Sequence, residues 1–130
     1  MFVFQINKEA QEAKGISAYD VFRSVVNDAV MNFQSKFAAD YPEISGKTFT
    51  PVWKGGRLKV LVGDFGEKTE QTALMRDSLG REINFCLREY YSERDENYLK
   101  NPYVVTSEGM AVDKSGTLTM NFSYKGPKQK

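Results

Sequence analysis

The chain contains no histidine, and Cys86 is its one cysteine in 130 residues. Without imidazole there is no Ser-His-Asp triad, no Cys-His pair and no His-ligated metal. A single thiol forms no internal disulfide and builds no zinc or iron–sulfur site. Cys86 lies between Phe85 and Leu87 with no flanking positive charge to stabilise a thiolate, so it is expected to be a small packing residue or a strand thiol. Neither charge sign dominates. Eighteen Lys+Arg against seventeen Asp+Glu leave +1, which argues against a strong electrostatic commitment to DNA or to an anionic membrane. No apolar run approaches the ~20 residues of a membrane span. The opening MFVFQINKE lacks the basic start and longer apolar stretch of a signal peptide. The chain is expected to be soluble and cytoplasmic.

Phosphate-binding glycine patterns are also missing. Gly55-Gly56 and Gly63-Asp64-Phe65-Gly66 read as turns, and neither Gly-x-Gly-x-x-Gly nor a Walker lysine opens a helix. No Gly-x-Ser-x-Gly elbow is present. Carboxylates gather at Asp64, Glu67 and Glu70 and again at Glu93, Asp95 and Glu96, without the alternation and glycine of an EF-hand loop. Glu12-Ala13-Lys14 precedes a helix rather than lying on a strand beside an aspartate, as a magnesium nuclease would require. These exclusions predict a non-enzymatic protein with no cofactor and no metal.

What is present is an ample core. Apolar residues make up 41% of the chain and aromatics 13%, enough for one packed domain over residues 1–130. Phe22, Val25, Val26, Ala29, Val30, Phe33 and Phe37 recur at three- and four-residue steps, which predicts an amphipathic helix over 17–40. Ser17 is placed to cap it, Asp20 suits its positive first turn, and Tyr41-Pro42 ends it. The rest reads as strand. Phe2, Phe4 and Ile6 alternate with Val3, Gln5 and Asn7 over 1–7, a short half-buried strand. Residues 47–91 are expected to form hairpins, the first turning at Gly55-Gly56. Asp77-Ser78-Leu79-Gly80 and Asp113-Lys114-Ser115-Gly116 share a second turn signal, in which Asp bonds the backbone and Gly takes the left-handed position. Between Met75 and Tyr90 a helical stripe (Met75, Leu79, Ile83, Cys86, Leu87, Tyr90) competes with strand alternation of Ile83, Phe85 and Leu87. The repeated turn signal and a glycine in mid-helix favour the hairpin. A charged loop follows over 92–102, then a hairpin over 103–125 and a basic tail over 126–130. The expected architecture is α+β: one long helix packed on one face of an antiparallel, hairpin-rich sheet of about five to seven strands.

The other sheet face is the expected working surface. Val3, Leu61, Trp53 and Tyr90 would supply apolar and aromatic anchors for a protein partner or for self-assembly, on the face or at an exposed strand edge, with mixed charges around the rim; Trp53, Leu61, Arg88 and Tyr90 are the expected binding residues. That reading makes the chain an inhibitor, adaptor or assembly subunit. The alternative is single-stranded nucleic acid, with phosphates held by Lys54, Arg57, Lys59, Lys125, Lys128 and Lys130 and bases stacked on rings of the same face.

Overall fold

The computed structural model describes residues 17–44, 46–63, 65 and 70–127. The strand expected over 1–7 with Val3, and Lys128 and Lys130 of the tail, lie outside the described residues. In chain order come α1 (Ala18–Phe37), a 3-10 turn at Pro42–Ile44, β1 (Phe49–Lys54) and β2 (Arg57–Val62). Then follow α2 (Glu70–Ser92), a 3-10 turn at Tyr98–Lys100, β3 (Val104–Val112) and β4 (Leu118–Lys125). The strands form one antiparallel sheet in the order β1-β2-β4-β3. The class is α+β. The described residues hold two helices and four strands, where one helix and about five to seven strands were expected.

α1 forms where its stripe predicts. The Ser17 hydroxyl accepts from the Asp20 amide at 3.1 Å, and Phe22, Val25, Val26, Val30 and Phe33 are fully buried. The first hairpin also forms, because Gly55 and Gly56 adopt the positive φ of 60° and 74° that a two-residue turn demands. At the second hairpin Asp113 Oδ1 accepts from the amides of Ser115 and Thr117, and Gly116 takes φ 86°. The identical Asp-x-x-Gly spacing at 77–80 does not make a turn.

That segment is the main correction. Residues 70–92 are helical, and Met75, Leu79, Ile83, Leu87 and Tyr90 form the buried stripe while Phe85 is exposed. Burial of each such side chain contributes roughly 1.5–3 kcal/mol, more than the ~1 kcal/mol that Gly80 costs in a helix. Gly80 has a positive use as well. A Cβ there would stand 3.2 Å from Ser107 Oγ and 3.6 Å from Phe122 Cε2, so the bare backbone lets α2 lie close against β3 and β4.

The stripes of both helices join Phe49, Leu58, Val60, Val62, Val105, Leu118, Met120 and Phe122 in one core. Along β2 the core residues alternate with exposed Arg57 and Lys59, so the core lies against one sheet face. β1, an edge strand, accommodates Pro51 because an edge position need not donate to the ladder. β3 carries a register shift between Ser107 and Met110, a bulge that bends the other edge.

The close seating of α2 generates a prediction. Gly80→Leu will destabilise the fold by about 1–3 kcal/mol through overpacking against Ser107 and Phe122. In Gly80→Ala a gain of up to about 1 kcal/mol in helix propensity is offset by the tight approach, leaving little net change. Urea denaturation of the two variants beside the parent checks both.

Candidate functional site

The four residues expected to share an interface fall in separate places. Trp53 pairs with Leu58 and faces the core side. Its ring meets Tyr124 at 5.3 Å and Phe22 at 6.0 Å, and its indole N–H donates to Asn27 Oδ1 at 2.7 Å. It ties the first hairpin to α1. Tyr90 is 2% exposed, with the Arg94 guanidinium 3.9 Å above its ring, and so presents no surface to a partner. Leu61 is half-buried on the outer face, between Thr50 and Thr119. Arg88 is exposed on α2. A strand would set Arg88 and Tyr90 on one face; a helix turns them far apart, which is why the constellation dissolves.

Arg88 instead borders a cleft between α2, the second 3-10 turn and the start of β3. Tyr98, Leu99, Pro102, Tyr103 and Val104 line it with Asn84 and Arg88, enclosing about 190 Å³. Its wall is built by local hydrogen bonding. The Tyr98 hydroxyl accepts from the Tyr103 amide at 3.1 Å and donates to the Tyr103 carbonyl at 3.3 Å, closing the 98–103 loop on itself. Burial, the larger effect, raises the Tyr98 hydroxyl above its ordinary 10.0. The Tyr91 ring stacks on Tyr98 at 5.3 Å and meets Tyr103 edge-on at 4.9 Å. The Asn84 amide then mimics a neighbouring strand: it donates to the Val105 carbonyl at 3.0 Å and accepts the Val105 amide at 2.8 Å. Further along, Arg76 Nη1 donates to the Glu108 carbonyl at 2.7 Å. Side chains of α2 therefore occupy backbone groups of the β3 edge.

Leu99 is 61% exposed and Val104 37%, so the rim of the cleft is apolar. Arg88, which lines the cleft, makes no ion pair among the described residues. Sequence reading found Arg88 for a different reason and missed Leu99 and Val104. The available signal was an apolar pair flanking Pro102 within an otherwise polar loop.

The basic residues of the alternative reading do come together in part. Lys54 lies opposite Arg57, Lys59 lies between Val52 and Asn121, and all three are exposed on the outer face. Lys125, opposite Val104, is exposed and donates to Asn101 Oδ1. The aromatics are elsewhere: Trp53 and Tyr124 alternate onto the core side with Phe22.

Among the described residues one charged side chain is buried. Glu82 is 8% exposed, pairs with the Lys36 ammonium of α1 and accepts from the Cys86 thiol at 3.5 Å. The Glu82–Cys86 spacing is one helical turn, legible only once α2 is known to be a helix. Burial, followed by the Glu82 charge, pushes the thiol up to about 12 from 9.0. The hydrogen bond to Glu82 raises Lys36. Such a thiol is a poor nucleophile. Among the described residues no group of three or more His, Cys, Asp or Glu side chains is placed to hold a metal ion.

Two outcomes follow for Cys86. Its alkylation at pH 8 will be much slower in the folded protein than in urea, as a timed iodoacetamide reaction followed by mass spectrometry will show. Because the unfolded thiol ionises near 9.0 and the folded one near 12, its contribution to stability is full below pH 9 and is lost as pH rises through 12. Lys36, Tyr98 and Tyr124 are raised too and act in the same direction. Denaturation midpoints measured from pH 8 to 12 will fall, and less steeply in Cys86→Ala.

Comparison of the chain with models of known families, with curated proteins and with solved structures finds no match.

Proposed function

We propose that this chain is a non-catalytic binding module whose partner is a protein, engaged through the cleft between α2 and the start of β3. The observation that carries the reading is an apolar, solvent-exposed rim, Leu99 and Val104, beside Arg88, which has no ion-pair partner among the described residues. Interfaces are dominated by a few apolar anchors and Arg set around a desolvated centre. At about 190 Å³ the cleft is smaller than the ~300–1,000 Å³ of small-molecule sites and suits an inserted side chain better than a cofactor. The partner that fits is an extended segment carrying an apolar residue next to a carboxylate, the carboxylate meeting Arg88 as a charge-assisted pair.

The originally expected surfaces support a protein interface less well. Trp53 and Tyr90, the aromatic anchors, are spent in packing within the fold. Asn84 and Arg76 cap the β3 edge, and Pro51 interrupts β1 as a template for strand addition. No helix among the described residues is long and apolar enough to cross a membrane. That fits the proposal of a cytoplasmic protein, in which the one thiol stays reduced.

The test is selection of binders from a library of displayed random peptides. Recovered sequences will share an apolar residue adjacent to Asp or Glu. Leu99→Asp and Arg88→Glu, both exposed positions, will each weaken a selected peptide by tenfold or more, about 1.4 kcal/mol, without altering the melting temperature. Peptides that bind the Leu99→Asp, Arg88→Glu double variant as well as the parent would exclude the cleft.

A further inference from the structure

A second surface adjoins the cleft at Lys125, which lies opposite Val104, and extends from there across the sheet. The outer sheet face segregates charge although the chain as a whole carries only +1. Its strand positions hold four cations, Lys54, Arg57, Lys59 and Lys125, against a single acid, Glu108. Glu108 is itself engaged, accepting from Ser123 Oγ at 2.8 Å. Lys54, Arg57 and Lys59 form no ion pair among the described residues. The described acids of the second half of the chain lie mostly on α2 and the turn after it, at Glu70, Asp77, Glu82, Glu89, Glu93, Asp95 and Glu96, with Arg76, Arg81, Arg88 and Arg94 among them, and Asp113 sits in the turn between β3 and β4.

The cations also share one end of the sheet. Lys54 and Arg57 flank the Gly55-Gly56 turn, Lys59 stands one pleat further in, and Lys125 ends β4 beyond Phe122, the partner of Leu58. The far end of the same face carries Thr50, Leu61, Thr119 and Ala111, with no charge. Arg57 and Lys59 lie two residues apart on one strand, roughly 6.7 Å, which is about twice the 3.4 Å axial step of stacked nucleotides in one strand. Asn121 and Ser123 interleave side-chain hydrogen-bonding groups among the cations.

We infer that the outer face of the sheet docks single-stranded nucleic acid through its phosphates, held by Lys54, Arg57, Lys59 and Lys125. Base stacking plays no part, because the rings that could supply it, Trp53 and Tyr124, lie on the core side. Recognition is therefore independent of sequence and strongly dependent on salt.

The experiment is fluorescence anisotropy of a labelled oligothymidylate of about 20 nucleotides, and of a duplex of equal length, titrated with the full chain from roughly 50 to 200 mM salt. Four phosphate contacts give a slope of log Kobs against log salt of about −2.8 for the single strand, and Arg57→Ala with Lys59→Ala halves it to about −1.4. Leu99→Ala, which adds no charge near Lys125, leaves the binding unchanged, so loss of the cleft and loss of this face are read separately, and melting temperatures confirm that the variants fold. Absence of binding at the lowest salt would overturn the inference, as would a slope unaltered by the double variant. Tighter binding of the duplex, or equal competition by polyglutamate, would overturn the assignment to a single nucleic-acid strand.

Discussion

The seating of α2 against the sheet at Gly80 governs most of what surrounds it. A Cβ at that position would stand 3.2 Å from Ser107 Oγ and 3.6 Å from Phe122 Cε2, so the bare glycine leaves room for the helix to sit close to both. Residues a turn or more to either side are thereby fixed over β3. Asn84 reaches both backbone groups of Val105, and Arg76 reaches the Glu108 carbonyl. On its other flank α2 meets α1, where Lys36 pairs with the buried Glu82 and the Tyr41 hydroxyl lies 2.7 Å from Ser78 Oγ. One close approach thus sets strand-edge protection on one side and a polar inter-helix contact on the other.

Past Tyr90 the same helix delivers Tyr91 into the Tyr98–Tyr103 pair, and ring contacts continue through Phe22 to Tyr124 and Trp53. The rings are joined edge-on in most of these pairs, the arrangement favoured by their quadrupoles and worth ~0.5–1.5 kcal/mol a pair beyond area burial. This aromatic chain stiffens the end of the molecule that carries the cleft. The loop there is short and self-bonded, so Leu99 and Val104 stay at the surface instead of collapsing inward. A preformed apolar rim loses less entropy on binding than a mobile one, which favours the cleft as a recognition surface.

Charge follows a similar division. The outer sheet face is basic, whereas α2 and the turn after it carry both signs, with Arg76, Arg81, Arg88 and Arg94 set among their acids. Glu82 is the exception, buried between the helices where its charge is compensated by Lys36. Lys36 is itself half-exposed, so the pair is only partly buried and adds little net stability, while losing Lys36 would leave the buried Glu82 carboxylate uncompensated.

The sequence by itself determined α1, the Gly55-Gly56 hairpin and the Asp113–Gly116 turn, because each is dictated by local chemistry: a 3.6-residue stripe, paired positive-φ glycines, and an Asp bonding its own backbone. It also placed Lys54, Arg57 and Lys59 on one face, since strand alternation needs no knowledge of neighbours. The segment from Met75 to Tyr90 supports both periods, and Asp77-Ser78-Leu79-Gly80 is chemically the same signal as the real turn at Asp113. Only tertiary packing separated them. A glycine that looks like a turn is, at position 80, the point of contact between a helix and two strands. With that assignment Tyr90 became core, Trp53 became a brace, and Arg88 moved to the rim of a cleft whose apolar members come from a different part of the chain. Long-range contact decided these positions because residues distant in sequence share one core.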